Sequence, residues 1–173
     1  MKDFLELAKD RYSVRKLESV QIPQADIDKI IEAGLSAPTG VNLQPFGIWM
    51  FQSDQAREKL LSCTKMKFIA PAEIIFVIGA KAELGWTRPF DQKHFAEIDA
   101  SIVATHMMLE IHDLGYGSTW IGHFDAEQLK RLYPEMSGYE LIALLPVGGI
   151  SPDCEPSDRH STSKSREELV QTL

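Results

Sequence analysis

Arginine, serine and arginine stand two residues apart in KDRYSVRKLE, at Arg11, Ser13 and Arg15. Two cations and a hydroxyl in alternation suit either the solvated edge of a strand or three donors aimed at one anion. Further along, SAPTGVNLQPF closes a helical pattern at Pro38 and enters an apolar run at Phe46. Such a turn exposes the backbone N–H groups of Thr39, Gly40 and Val41 beside the amides of Asn42 and Gln44, and could aim donors and acceptors at a flat polar edge. The glycine-rich GYGSTWIG that follows a long apolar segment reads, by itself, as a helix C-cap and a strand entry.

No other constellation carries a recognisable chemistry. His94, His106, His112, His123 and His160 show neither HExxH nor a Cys/His cluster, and His106 with Glu110, one helical turn on, reads as a local ion pair. Cys63 and Cys154 lie far apart without a CxxC and read as reduced thiols. There is no GxSxG elbow, P-loop or GxGxxG after a strand, so no catalytic nucleophile, acid or base and no metal ligand is nominated.

The 173 residues suit one domain, 1–173. With 44% hydrophobic and 25% charged residues the chain has the composition of a folded globular protein. Its 18 Lys+Arg against 25 Asp+Glu give a net charge of −7, which disfavours an extended nucleic-acid surface and means that any phosphate is held locally. MKDFLELAKDRYSVRK lacks an apolar signal core and no window approaches the roughly 18 apolar residues of a membrane span, so a cytoplasmic protein without membrane contact is expected.

The elements that must position these residues follow from periodicity. IPQADIDKIIEAGLSAP places Ile27, Ile30, Ile31 and Leu35 on one helical face, with Pro23 suited to the first turn. Short helices are predicted from a Ser53/Asp54 cap and from Asp125 with Gln128, a capping-box pattern. The stretch 94–114 is apolar on most sides and predicts a helix buried in the core or against another subunit. Strands are predicted at 46–52, 73–80, 118–124 and 141–149. The irregular order favours an α+β fold. ISPDCEPSDRHSTSKS reads as a long surface connection, of a length that suggests function.

Taken together, RYSVRK, APTGVNLQPF, GYGSTWIG after an apolar helix and a basic SKSREELV resemble the FMN-dependent nitroreductase family over nearly the whole chain. The resemblance implies a mixed, largely antiparallel sheet flanked by helices, and a homodimer with the long helix at its interface and FMN bound between subunits. Arg11, Ser13 and Arg15 then grip the phosphate and ribityl chain. Pro38, Thr39 and Gly40 come from the other subunit to lie beside the ring, with Asn42 and Gln44 near it, and Trp120, Ile121 and Gly122 border its opposite side. Lys67, with Lys65 as alternative, is expected near the N1–C2=O edge. Arg159 and Lys164 are candidates for closing over the phosphate, although Ser163-Lys164 departs from the usual Arg-Lys pair. Trp86, Arg88 and Phe90 are candidates for a brief lid over an open acceptor pocket.

The same resemblance implies reducing equivalents passing from NAD(P)H to a nitroaromatic or quinone by ping-pong turnover, with flavin N5 as the reacting centre. Other chemistry on this fold, such as reductive dehalogenation, flavin fragmentation or enone reduction, remains an alternative, as do a non-catalytic flavin-binding redox module and a binder of some other phosphorylated ligand.

Overall fold

In the computed structural model, which describes residues 3–173, the chain forms α1 (Phe4–Asp10), β1 (Leu17–Glu18), α2 (Gln24–Leu35), β2 (Phe46–Phe51), α3 (Asp54–Leu61), β3 (Ile74–Ala80), α4 (Ala96–Asp113), α5 (Ala126–Leu132), β4 (Glu140–Val147), β5 (Gly149–Ile150) and α6 (Arg166–Leu169). Met1 and Lys2, which open the expected 1–173 domain and the amphipathic N-terminal stretch, lie outside the described residues.

The run from Ile74 to Ala80 is continuously apolar because β3 is the middle strand of an antiparallel β2-β3-β4 sheet and is covered on both faces. Alternation divides its side chains. Ile74, Phe76 and Ile78 pack with Ala143, Leu145 and Val147 of β4 under Ile27 and Ile30 of α2 and Ala100, Val103 and Met107 of α4. Ile75 and Val77 pack on the opposite face with Phe51, Leu60, Ile121, Leu129 and Leu144. The short helices α3 and α5 each bury one leucine, Leu60 and Leu129. Helices on both faces of an antiparallel sheet make the fold α+β.

Local signals match the helix ends. Ser53 Oγ accepts from the Ala56 amide at 3.3 Å and the Asp125 carboxylate from the Gln128 amide at 2.8 Å. Only half of the predicted capping box forms, because the Gln128 side chain reaches instead to Ser62 Oγ at 3.5 Å. Pro23 occupies the N-cap of α2 rather than its first turn. Beyond α4, Gly115 takes a φ of +87°, a value glycine adopts without strain, and the Tyr116 amide bonds back to Ile111 O at 3.0 Å.

One expectation needs correction. Residues 118–124 do not form a strand: Ile121 pairs with Leu144 on the edge of β4, and Gly117 with Gly148 between β4 and β5, as isolated antiparallel bridges, because the extended segment meets β4 at one residue only. Within one chain α4 is buried on one face and open on the other. Its core face carries Ala100, Val103, Ala104, Met107 and Ile111, whereas Ile98, Ile102 and Leu109 line an apolar groove of about 740 Å³ with Phe4 and Leu7 of α1.

Candidate functional site

Residues 11–16 run extended and place Val14 in the core while its neighbours turn outward. A set of long-range ties brings the C-terminal segment over them. β1 pairs antiparallel with β5, matching Leu17 to Ile150 and Glu18 to Gly149. The Ser151 amide donates to Lys16 O at 3.1 Å, and Lys16 Nζ reaches the Asp153 carboxylate at 2.7 Å. This bond, its strongest influence, raises the Lys16 pKa and lowers that of Asp153. The Tyr12 hydroxyl donates to Cys154 O at 3.3 Å, and burial is the main cause of its raised pKa.

The result is a hollow of about 250 Å³ lined by Arg11, Tyr12, Ser13, Arg15, Ser157, Arg159 and His160. Arg15 Nη1 donates to Ser13 O at 3.3 Å, and the rings of Tyr12 and His160 meet edge-on at 6.1 Å. Three guanidinium groups, two serine hydroxyls and an imidazole around one space form a donor set suited to a dianionic phosphate, the Tyr12 hydroxyl being committed to Cys154 O.

Arg11 and Ser13 also line a second hollow, of about 260 Å³, with Thr105, Met108 and Trp120. Thr105 in turn borders the apolar groove on α4. The three spaces therefore adjoin through shared residues, in the order of a cationic end, a wall containing an indole and a thioether, and an open apolar face. That sequence of environments suits a ligand with a charged tail and a flat aromatic head.

The 38–44 turn sits elsewhere on the chain. Val41, Asn42 and Gln44 have φ of 44°, 58° and 51°, in the left-handed region that costs a non-glycine residue about 1 kcal/mol or more each. Hydrogen bonds hold them there: the Gln44 amide donates to Thr39 Oγ1 at 3.1 Å and the Gly40 amide to Asp99 Oδ1 at 3.0 Å. Val41, 72% exposed, caps the turn with an unburied apolar side chain.

The predicted lid is a cross-braced hairpin. Thr87 bridges His94, the Phe95 amide donates to Trp86 O at 3.0 Å, and the Trp86 and Phe95 rings meet at 4.9 Å. Arg88 lies over the Phe95 ring, 5.6 Å from its centre, and its guanidinium forks onto the Asp91 carboxylate, a bond that lowers the Asp91 pKa and raises that of Arg88. Phe90 projects from the tip, 96% exposed.

The predicted residues thus fall into distinct groups. Arg11, Ser13, Arg15, Arg159 and Trp120 share the two linked hollows. Lys164 lies exposed outside them, as do Lys67 and Lys65, the latter bordering a separate hollow with Cys63 and His123. Ile121 turns its side chain into the core and gives both backbone groups to Leu144, while Gly122 is exposed. Pro38, Thr39, Gly40, Asn42 and Gln44 line neither hollow, and Gly40 packs against Trp86 at the base of the hairpin. Sequence reasoning missed Tyr12, Ser157, His160, Thr105 and Met108. The position of Ser157 and His160 beside Arg159 in a suspiciously long connection was the one available signal.

Comparison with known proteins agrees with this architecture. The Nitroreductase family model matches residues 8–68 and 62–149. A nitroreductase family protein of Clostridium difficile 630 superposes with a TM-score of 0.89 at 32% identity, covering 99% of this chain and 100% of its own. A Methanothermobacter thermautotrophicus protein described as an NADH dehydrogenase/NAD(P)H nitroreductase is 27% identical over 153 residues, which span 84% of this chain and 76% of that protein. A protein of Exiguobacterium sibiricum described as a nitroreductase, solved in complex with FMN, shares the fold at a TM-score of 0.83 and 18% identity, covering 100% of this chain and 98% of that one. By its family match and its fold, the chain belongs to the nitroreductase family.

Proposed function

We propose that this chain is an FMN-dependent oxidoreductase, a single domain over 1–173, that passes reducing equivalents from NAD(P)H to an electron-poor acceptor such as a nitroaromatic or quinone. The observation that carries the reading is the hollow of Arg11, Ser13, Arg15, Ser157, Arg159 and His160, joined through Arg11 and Ser13 to the hollow walled by Trp120 and Met108. The FMN bound by the Exiguobacterium relative and the NAD(P)H in the Methanothermobacter relative's description support it.

The roles of the residues follow from their chemistry. Arg11, Arg15 and Arg159 would neutralise the phosphate, with Ser13 and Ser157 donating further hydrogen bonds. Trp120 and Met108 would present apolar surface to the ring and keep water from one side of it. Bound FMN supplies hydride and electron transfer, with donor and acceptor taking turns in one slot, a ping-pong scheme. No side chain is assigned a proton transfer, which solvent can supply.

A homodimer completes the site. The 38–44 turn and the 86–95 hairpin do not line these hollows in their own chain, which supports a flavin lying between two copies and touched by the turn of the second. The apolar groove on α4, adjoining the ring hollow through Thr105, is the face on which a second copy would seat.

The test is direct. Purified protein should be yellow, bind FMN in fluorescence titration, sediment as a dimer and consume NAD(P)H when given a quinone or nitroaromatic. A colourless monomer that ignores added FMN overturns the proposal, and one that binds FMN with negligible turnover reduces it to a flavin-binding module.

A further inference from the structure

We infer that Asp99 is a positioning residue that locks the 39–44 turn and the 86–95 hairpin of one chain into a single rigid wall of the acceptor slot. The slot is that of the function proposed above, and the inference rests on that reading.

Asp99 stands in the first turn of α4, only 3% exposed, beside Ala96, Ala100 and Val103. Burying a carboxylate is costly, and packing at this place needs only a small apolar side chain. What an apolar side chain cannot do is accept the Gly40 amide, which donates to Asp99 Oδ1 at 3.0 Å. The other oxygen, Oδ2, is buried without a hydrogen-bond partner among the described residues, and it lies 3.6 Å from where a Cβ on Gly40 would stand.

From Asp99 a chain of backbone bonds runs to the hairpin. The Asp99 amide donates to Phe95 O at 2.8 Å, and the Phe95 amide donates to Trp86 O at 3.0 Å. Trp86 then closes the circuit by packing on Gly40, where an added Cβ would meet Trp86 Cβ at 3.1 Å. Turn, helix and hairpin are therefore tied in a ring whose one side-chain hydrogen bond is that of Asp99. Within the turn, the Asn42 amide donates to Thr39 O at 3.0 Å, the Leu43 amide to Gly40 O at 3.1 Å and the Gln44 amide to the Thr39 hydroxyl. The left-handed backbone of Val41, Asn42 and Gln44 is thus closed on itself, and the Asp99 bond is the side-chain tie from the turn to α4. The anion hollow of Arg11, Arg15 and Arg159 contains none of these residues, so the lock acts on the shape of the slot and not on the grip on phosphate.

The test compares wild type with Asp99→Ala and Asp99→Asn. In the apoprotein, amide hydrogen exchange in the peptide spanning 39–44 should speed up roughly tenfold for D99A, the loss of one side-chain hydrogen bond. In the holoenzyme the acceptor KM should rise by about tenfold with kcat changed less and FMN affinity kept within about threefold. D99N, whose amide oxygen still accepts from Gly40, should restore exchange and KM toward wild type even where its thermal stability is lower. Wild-type exchange and KM in D99A overturn the inference, as does a D99N protein damaged as much as D99A. A wild type that binds no FMN overturns the proposed function instead, and the exchange comparison then still decides whether Asp99 holds the turn.

Discussion

Ile121 and Leu144 exchange both of their backbone hydrogen bonds, at 3.0 and 2.9 Å, in a bridge that stands alone on the edge of β4. It fixes the phase of an extended segment. With the Ile121 side chain in the core, Trp120 must face outward, and it does so on the wall of the hollow that holds Arg11 and Ser13. Trp120, 37% exposed, can therefore be removed with little effect on folding. Trp120→Ala should leave thermal stability nearly unchanged and weaken FMN binding by roughly tenfold. A fluorescence titration at matched unfolding temperatures checks this, and unaltered affinity would remove Trp120 from the site.

Arg159 and Lys164 are both cationic residues of the C-terminal segment, but only Arg159 lines the hollow shared with Arg11 and Arg15. Arg159→Ala should weaken FMN binding by roughly ten- to a hundredfold, the range of a lost charge-assisted hydrogen bond. Lys164→Ala should change it less than about threefold, the scale of an exposed charge. Riboflavin, which lacks the phosphate, should bind both variants as it binds wild type. Equal losses for FMN and riboflavin in the Arg159 variant would place that side chain away from the phosphate.

Gly34 packs α2 onto α4. A Cβ there would stand 2.8 Å from Met107 Cγ and 3.1 Å from its sulfur. Alanine gains helix propensity of about 1 kcal/mol over glycine, yet overpacking a core contact costs about 1–3 kcal/mol. Gly34→Ala should therefore be neutral to destabilising on its own. Combined with Met107→Ala, which empties the same space, it should become stabilising relative to M107A alone. Denaturant unfolding of the four proteins closes the cycle, and strict additivity would show that the two positions do not share that space.

Much of this architecture was legible because it is written in local period. The uninterrupted apolar run of β3, the one-sided pattern of α2 and the caps at Ser53 and Asp125 each follow from neighbours in the chain. Arg11, Ser13 and Arg15 were legible for the same reason, since their spacing alone puts them on one side of an extended segment. What escaped depends on distant contacts. The segment 118–124 has the composition of a strand, but pairing requires an edge to pair with, and β4 meets it at one residue. Ser157 and His160 reach the anion hollow through β1 and β5, two residues each, too short to leave a period. Thr105 and Met108 were hidden within the apolar pattern of α4, and nothing in the sequence marks Asp99, an acid in a helix's first turn, as buried.

Glu110 makes the groove on α4 sensitive to pH. Burial, and next the charge of Asp113, raise its pKa, while Lys29 opposes them. A carboxylate whose pKa is raised by folding contributes stability below its unfolded value of about 4.3, and that contribution is lost as pH rises through the folded value. Above the folded value the ionised group is therefore a liability. Glu110→Gln should raise the melting temperature at pH 7 by about 1–3 °C, a small effect because the side chain is only partly buried, and leave it unchanged near pH 3. An equal gain at both pH values would trace the effect to packing and not to charge.

Ile98 lies on the rim of the same groove, 37% exposed, where a second copy would cover it. In an isolated chain an arginine there reaches solvent with little penalty, so Ile98→Arg should keep its far-ultraviolet circular dichroism and most of its core. Set against a second apolar face it would bury an unpaired charge, and the protein should sediment as a monomer. That monomer retains the hollow of Arg11, Arg15 and Arg159 but loses any turn contributed by a partner, so FMN affinity should fall by more than about a hundredfold while phosphate contacts remain available. If the arginine variant stays dimeric, the groove is not the interface. If it is monomeric and binds FMN as wild type does, the flavin belongs to one chain alone and the 38–44 turn has another role.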